Sequence, residues 1–217
     1  MSRLVLPGVY APQEDTALLA EALAGEALRP GAPVLDVGTG SGALALAAAR
    51  RGARVTAVDV SRRAVWTTRL NARLNRLPVR ALRGNLFAPV RGRTFDLVLA
   101  NPPYVPAPHA GRVPRGRSRA WDAGRDGRLV LDRLCREAPA LLRPGGVLLV
   151  VHSALSDPGR TLDLLRTAGL KAAVVRRRWI GFGPVLRRRR DWLRAHGLLG
   201  PADEREELVV IRAERPV

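Results

Sequence analysis

Cysteine is almost absent from the 217-residue sequence, in which Cys135 stands alone. An internal disulfide and a cysteine-based zinc site are therefore excluded, and a reducing cytoplasm is the expected location. The sequence also lacks an apolar run of about 18 residues, the length that a transmembrane helix needs. The apolar part of residues 1–8 is too short for a signal peptide, so no membrane association is expected.

Lysine is nearly missing as well, since Lys171 is the one lysine among 37 basic residues, against 19 acidic ones. Phosphate attracts lysine and arginine alike, so binding to nucleic acid would not by itself exclude lysine. The net charge of +18 therefore indicates a biased amino-acid composition as readily as a nucleic-acid partner. The 47% of hydrophobic and 26% of charged residues are typical of a globular protein. The length favours one domain over 1–217, with a leader and first helix over 1–30.

Strand-like and helix-like segments alternate from residue 15 onward, which predicts an α/β fold with a doubly wound, mostly parallel sheet of seven strands. The predicted strands are 33–37, 54–58, 79–83, 95–100, 147–151, 171–175 and 207–212. The predicted helices are 15–29, 41–50, 61–75, 126–142 and 156–168. No crossover helix precedes the last strand, so we expect it to run antiparallel at the sheet edge. The loop 102–125 and a basic insert over 176–206 interrupt the alternation, and loops of that length are usually functional or mobile.

The first motif that indicates chemistry is Asp36-Val37-Gly38-Thr39-Gly40-Ser41-Gly42, where a buried strand runs through glycines into a helix. Glycines let the backbone approach a ligand closely, and a helix N-terminus offers free N–H groups to it. Asp59 closes the second strand 21 residues after Gly38, about the spacing at which an acid reaches a ribose hydroxyl in this topology. The structural alternatives are a tight turn for the glycines and a helix N-cap shared with Ser61 for Asp59.

The second motif is Asn101-Pro102-Pro103-Tyr104, directly after the apolar strand 95–100. The prolines stiffen the backbone and bias Asn101 away from helix. The motif therefore presents an amide oxygen, a free carbonyl and an aromatic face, which suit an NH2 group and a planar amide or base. A proline-rich turn with a packed tyrosine is the alternative.

Together these motifs resemble class I S-adenosylmethionine-dependent methyltransferases that act on a planar nitrogen. More narrowly, the chain resembles the HemK/PrmC-type protein glutamine methyltransferases, and is most similar to their short archaeal and eukaryotic branch. The leader Tyr10-Ala11-Pro12-Gln13-Glu14-Asp15-Thr16 is similar to that branch's leader, and Gly124-Arg125-Asp126-Gly127 to the family's Gly-x-Asp-Gly element. The long bacterial enzymes carry an N-terminal helical domain, and because the motifs here begin almost at once, we expect that domain to be absent.

The resemblance implies S-adenosylmethionine as cofactor and a role for each matching residue. The residues implied to contact the cofactor are Asp15, Thr16, Asp36, Gly38, Gly40, Gly42, Asp59, Asn85 and Asn101. Asp36 would order the loop or bind the cofactor's amino group, and Asn85 stands where such enzymes often carry an Asp near the adenine amine. Asn101, Pro102 and Tyr104 would be catalytic, and Pro103 would join them in binding the substrate. No metal or histidine base is required.

The resemblance implies methylation of a glutamine N5 in a translation release factor or a ribosome-associated protein. The short branch typically works with a small zinc-binding activator subunit. The alternatives are methylation of a base in structured RNA, adenine-N6 methylation of DNA, which usually needs a target-recognition region, and RNA binding without catalysis.

Two arginine-rich stretches are the candidates for contact with RNA or an acidic partner. Residues 112–128 carry six arginines against two aspartates, and 176–200 carry eight against Asp191. The second stretch predicts a basic amphipathic helix over 184–196, for which an ordinary solvated surface helix is the alternative. Trp66 and His152 are expected to be structural.

Overall fold

The computed structural model describes residues 4–108 and 116–217, with the side chain of Arg117 left out. The stretch 112–128 is therefore described only from residue 116 onward. The strands are β1 Pro33–Val37, β2 Arg54–Asp59, β3 Val79–Arg83, β4 Phe95–Ala100, β5 Leu142–Ser153, β6 Lys171–Gly181 and β7 Arg205–Glu214. The α-helices are α1 Glu14–Ala24, α2 Ala43–Arg50, α3 Arg62–Leu74, α4 Leu131–Glu137, α5 Pro158–Thr167 and α6 Pro184–Ala195.

The seven strands form one sheet in the order β3-β2-β1-β4-β5-β7-β6. Pairing is parallel from β3 to β5, and β7 runs antiparallel to both β5 and β6. The predicted doubly wound, mostly parallel sheet with an antiparallel last strand is therefore confirmed. Because the chain moves outward from β1 to β3 and then returns to β4, a crevice opens between the carboxyl ends of β1 and β4.

Apolar side chains cover both faces of this sheet. Leu18 and Leu19 of α1 and Leu44 of α2 pack on one face. Leu131 of α4 and Leu165 of α5 pack on the opposite face. The central parallel strands β1, β2 and β4 are largely buried on both sides, as parallel strands between helices must be, whereas the edge strands β3 and β6 are partly exposed. Within the described residues, no helix is long and apolar enough to cross a membrane.

The expected place of the last strand was wrong, because β7 lies between β5 and β6 and leaves β6 at the edge. The basic insert also begins later than 176 and ends earlier than 206. Residues 176–181 continue β6, and β7 begins at Arg205, so 182–204 alone connects the two strands. The basic helix expected over 184–196 is present as α6.

Two predicted helices are shorter than their sequence patterns suggest. The helix over 15–29 ends at Ala24, where Gly25 turns the chain and its N–H donates to Ala22 O. The helix over 126–142 begins only at Leu131, because Gly127 has a left-handed φ of +72° that no α-helix accommodates. Pro139 then lies in a short 3₁₀ turn after α4. The left-handed backbone of Gly127 keeps the residues before it out of α4, and hydrophobic periodicity does not report such a backbone angle.

Candidate active site

A cavity of about 770 Å³ opens at the carboxyl ends of β1, β2, β3 and β4. This is the end of the sheet at which open α/β folds bind ligands, and the volume suits a cofactor together with a substrate side chain. The structure brings ten of the twelve predicted site residues to its lining: Asp15, Thr16, Gly38, Gly40, Asp59, Asn85, Asn101, Pro102, Pro103 and Tyr104. Asp36 and Gly42 are the two that do not line it.

Asp36 lies beneath the glycine loop instead. Its carboxylate Oδ2 accepts hydrogen bonds from Thr39 Oγ1 at 2.6 Å and from the N–H of Ala45 at 3.1 Å. Burial raises the pKa of Asp36 to about 6, against the lowering effect of these hydrogen bonds. Asp36 therefore ties the loop to the first turn of α2.

The glycines of the loop have two different surroundings. A Cβ at Gly40 would point at the cavity-lining Tyr10, 3.7 Å from its carbonyl oxygen, and the φ of +54° is one that side chains rarely adopt. A Cβ at Gly42 would lie 2.9 Å from Thr68 Cγ2, so Gly42 allows α2 and α3 to pack closely. The bare backbone around Gly40 leaves room for a ligand, whereas Gly42 serves packing.

Asp59 ends β2 beside the loop. Its Oδ2 accepts from the N–H of Gly40 at 3.0 Å, and its Oδ1 accepts from the N–H of Ser61 at 2.8 Å. Ser61 Oγ in turn caps α3 by accepting from the N–H of Ala64. Burial raises the pKa of Asp59, and the backbone hydrogen bonds oppose that rise. A carboxylate offers about four acceptor positions, so Asp59 retains acceptors for hydroxyl groups of a ligand.

Asp15 is the centre of a buried hydrogen-bond network on the leader side. Its Oδ2 accepts from the hydroxyl groups of Tyr10 at 2.8 Å and of Tyr104 at 3.1 Å. Its Oδ1 accepts from the N–H of Thr16 at 2.6 Å and from Thr16 Oγ1 at 3.2 Å. Burial and the nearby charge of Asp15 raise the pKa of both tyrosines above the ordinary value, so both remain neutral donors. The network joins the leader to the Asn-Pro-Pro-Tyr motif.

The Asn101 amide is oriented by this network. Its Nδ2 donates to Thr16 Oγ1 at 3.3 Å. Within the described residues, neither Asn101 Oδ1 nor the carbonyl oxygen of Pro102 accepts a hydrogen bond. Both residues line the cavity, so the site contains two hydrogen-bond acceptors without a protein donor. Such a pair suits an NH2 group, which brings two donors.

Some residues that line the cavity were not predicted from the sequence. Tyr10 lines the cavity without having been predicted to, although a phenol five residues before Asp15 in the leader is a signal for it. Arg133, whose Nη1 lies 3.5 Å from Asn85 Oδ1, has no recognisable signal in a sequence with so many arginines.

Two residues outside the cavity were expected to be structural. His152 is fully buried, as expected, but Trp66 is 65% exposed, so the structural role expected for Trp66 was wrong.

The parallel sheet with an antiparallel β7, a glycine loop after β1 and an acid ending β2 define a class I methyltransferase. Comparison with known proteins gives the same class. Residues 4–113 match the family model of the methyltransferase small domain, and the chain belongs to this family of S-adenosylmethionine-dependent methyltransferases.

Two relatives are similar over most of this chain. One, from Methanocaldococcus jannaschii, is named as a protein N5-glutamine methyltransferase, and it is 34% identical over 83% of this chain and 90% of its own length. The release factor glutamine methyltransferase of Moorella thermoacetica is 40% identical over 76% of this chain. The match spans 61% of the Moorella protein, so that relative is considerably longer.

Two solved structures have the same fold over nearly the whole chain. The Mtq2–Trm112 complex of E. cuniculi, described as methylating the eRF1 translation termination factor, has a TM-score of 0.66 at 24% identity and covers 96% of this chain and 99% of the matched chain. The 16S rRNA N2 G1207 methyltransferase of T. thermophilus, solved with AdoMet and guanosine, has a TM-score of 0.64 at 25% identity and covers 97% of this chain and 46% of the other.

Proposed function

We propose that this enzyme methylates the N5 nitrogen of a glutamine side chain in a translation release factor or a similar protein. The observation that carries the proposal is that two acceptors, Asn101 Oδ1 and the Pro102 carbonyl oxygen, lie in one cavity with the glycine loop and receive no hydrogen bond from the residues that the structure describes. The names of the relatives from M. jannaschii and M. thermoacetica support the choice of glutamine.

The cavity fits S-adenosylmethionine. The backbone around Gly38 and Gly40 provides a cradle that side chains would fill, and Asp59 retains acceptors for the ribose hydroxyls. Asn85 lines the same cavity, where its amide oxygen can accept from the adenine amine. When bound, the cofactor supplies a methyl group on a positively charged sulfur.

The protein's part in the reaction is to hold a poor nucleophile in place. The lone pair of an amide nitrogen is delocalised, so the nitrogen must be oriented and its developing positive charge must be offset. Asn101 Oδ1 and the Pro102 carbonyl can each accept one N–H of the substrate amide, which accomplishes both. The Tyr104 ring lines the same cavity and can pack against the flat amide.

The proposal is tested by transfer of a labelled methyl group into total protein and total RNA from the native cell. We expect label in protein, and then in a release-factor peptide that contains glutamine but not in the same peptide with Gln→Asn. The Asn101→Ala enzyme should bind S-adenosylmethionine with nearly unchanged affinity and transfer no methyl group. Label in RNA alone would contradict the proposal.

A structured RNA is the second candidate substrate, because five arginines line the cavity: Arg62, Arg63, Arg83, Arg119 and Arg133. Such cations attract phosphate groups. The T. thermophilus structure, solved with guanosine, is a relative of that kind. In the stretch 176–200, however, Arg177, Arg178 and Arg189 form ion pairs with acids of this chain. Much of that charge therefore serves internal contacts, and the same labelling experiment decides between the two substrates.

We further propose that a small activator subunit binds beside β3. Trp66, Leu70 and Leu74 are exposed and spaced four residues apart, so they lie on one face of α3. This helix packs against the edge strand β3, where Arg69 donates to Ala81 O, and exposed apolar patches of this kind mark protein contacts. The Mtq2–Trm112 complex is a fold relative that has a partner.

The proposed subunit site is tested with Trp66→Ser. The matched control is Trp179→Ser, because Trp179 is also exposed, at 58%, but lies on β6 at the opposite edge of the sheet. Enzyme purified from the native cell together with its subunit should transfer methyl groups faster than the chain from which the subunit has been removed (the stripped chain). Adding the subunit back should restore the rate. Trp66→Ser should lose this restoration, and Trp179→Ser should keep it. A stripped chain as fast as the native preparation would contradict the proposal.

A further inference from the structure

The backbone of the Asn-Pro-Pro-Tyr motif is held by a residue far along the chain. Ser156, fully buried in the turn after β5, donates a hydrogen bond from its Oγ to the carbonyl oxygen of Tyr104 at 2.6 Å. The two residues are 52 positions apart. Because the Tyr104 hydroxyl also donates to Asp15, this tyrosine is fixed at both its backbone and its side chain.

Gly127 closes over this hydrogen bond. A Cβ at Gly127 would overlap both the Tyr104 carbonyl oxygen and Ser156 Oγ, so only glycine allows the backbone to lie there. The close approach covers the bond and keeps water from it. A hydrogen bond that water cannot reach keeps its geometry better than an exposed one, because no solvent donor competes for the acceptor.

Arg128 stabilises the chain turn that contains Ser156. This arginine is 2% exposed, and its Nη1 donates to the carbonyl oxygens of Ser156 and, at 2.8 Å, of Asp157. It also reaches Thr161 Oγ1 at 3.1 Å, while its Nε pairs with Asp132 Oδ1 at 2.8 Å. Asp157 has a left-handed φ of +53°, so the turn needs such support.

The Asn-Pro-Pro-Tyr motif is therefore held at both of its ends, by β4 before Asn101 and by Ser156 at Tyr104. Asn101 follows β4, whose last residue Ala100 pairs with Val37 and Val150 in the sheet. The two prolines have locked φ angles, so few backbone torsions stay free between Asn101 and Tyr104. Fixing the Tyr104 carbonyl therefore also fixes the direction of the Pro102 carbonyl.

We propose that Ser156 is a positioning residue for methyl transfer, acting through the Tyr104 carbonyl, and that Arg128 keeps Ser156 in place. This rests on the proposed use of Asn101 and Pro102 to orient the acceptor amide. Displacement of reacting groups by about 1 Å can cost about a hundredfold in rate. The effect should therefore appear in kcat, because the cofactor cradle around Gly40 and Asp59 does not touch Ser156.

The test compares Ser156→Ala with Thr67→Val, which removes a fully buried hydroxyl that donates to Arg63 O within α3, outside the contacts that hold Tyr104 and Ser156. We expect Ser156→Ala to lower kcat roughly 10- to 100-fold with an S-adenosylmethionine Kd within about threefold of wild type. Thr67→Val should keep kcat within about threefold, with both variants assayed below their unfolding temperatures. An unchanged kcat for Ser156→Ala, or an equal loss for Thr67→Val, would overturn the proposal.

A second pair covers the case in which Ser156→Ala does not fold. Gly127→Ala and Gly124→Ala both place a side chain at a left-handed φ, +72° and +81°, but a Cβ at Gly124 meets only ordinary contacts. We expect a large loss of kcat for Gly127→Ala alone. Equal kcat in the two variants would contradict the positioning role of the hydrogen bond between Ser156 and Tyr104.

The readout separates this inference from the choice of substrate. Each variant is assayed on whichever fraction, protein or RNA, the wild-type enzyme labels. Label in RNA would therefore end the glutamine proposal, while the ratio of kcat between Ser156→Ala and Thr67→Val would still decide the role of Ser156.

Discussion

Asn101 donates from Nδ2 to Thr16 Oγ1 at 3.3 Å, and this bond determines which end of the amide faces the cavity. Thr16 accepts this bond because its own hydroxyl proton is directed to Asp15 Oδ1 at 3.2 Å. A buried carboxylate on the leader therefore sets the orientation of an amide 86 positions away along the chain.

Thr16→Val should release that orientation. Valine keeps the shape of threonine but cannot accept from Asn101, so the amide can rotate and present its NH2 end to the substrate. We expect kcat to fall about fivefold, in line with about 1 kcal/mol for one hydrogen bond, and Thr16→Ser to restore it. Steady-state kinetics on the labelled substrate measure this, and wild-type kcat in Thr16→Val would disprove the orienting role.

Gly40→Arg should abolish binding of S-adenosylmethionine. The side chain would enter the cavity from a backbone at φ +54°. Gly31→Ala is the matched control, since Gly31 has a φ of +78° and open space around it. Titration calorimetry should show no binding for Gly40→Arg and near wild-type affinity for Gly31→Ala, and retained binding in Gly40→Arg would place the cofactor elsewhere.

Asn85→Asp should tighten cofactor binding. A carboxylate accepts the adenine amine in a charge-assisted bond, and Arg133, 3.5 Å from Asn85 Oδ1, would hold that carboxylate in place. We expect a gain of roughly 1 kcal/mol, or about fivefold in Kd. Asn85→Ala should weaken binding, and equal affinities in the three proteins would remove Asn85 from the adenine site.

Glu206→Gln should stabilise the protein in alkaline solution. Burial raises the pKa of Glu206 from 4.5 to about 7, and the charge of Asp15 adds to the rise. The folded state therefore binds this proton more tightly than the unfolded state, and the wild type loses stability as the pH rises from about 4.5 to about 7.

The expected gain for Glu206→Gln is up to about 3 kcal/mol in the free energy of unfolding at pH 8, and it should vanish near pH 4. Glutamine keeps a group that can bond to Ser153, so the comparison isolates the charge. Urea denaturation at the two pH values measures the difference, and a gain independent of pH would contradict the titration of Glu206.

The sequence predicted those features of the site that depend on local order. Asp59 and Asn101 each stand where a strand ends, and parallel strands bring such residues to one edge. Asp36 resembles Asp59 in the sequence, but it lies one residue before the end of β1 and packs beneath the loop. Strand alternation sends neighbouring side chains to opposite faces, so one position separates a lining residue from a supporting one.

Contacts between distant segments could not be predicted. Nothing near Ser156 in the sequence indicates a bond to Tyr104, and the place of β7 between β5 and β6 depends on how β6 and β7 pair across the connection 182–204. The apolar pattern of β7 would suit a central or an edge strand equally. The boundaries of β1, β3 and β4, by contrast, follow from local apolar runs, whereas β6 continues through three arginines beyond its apolar run.

The insertion of β7 between β5 and β6 has a consequence for synthesis. A ribosome delivers β6 before β7, so β5 and β6 leave the exit tunnel with no strand between them. The edges of β5 and β6 that will later pair with β7 are then unpaired, and nascent chains associate wrongly at such edges. The arginines of β6 give every copy of this strand the same positive charge, so unpaired β6 strands of different chains repel one another.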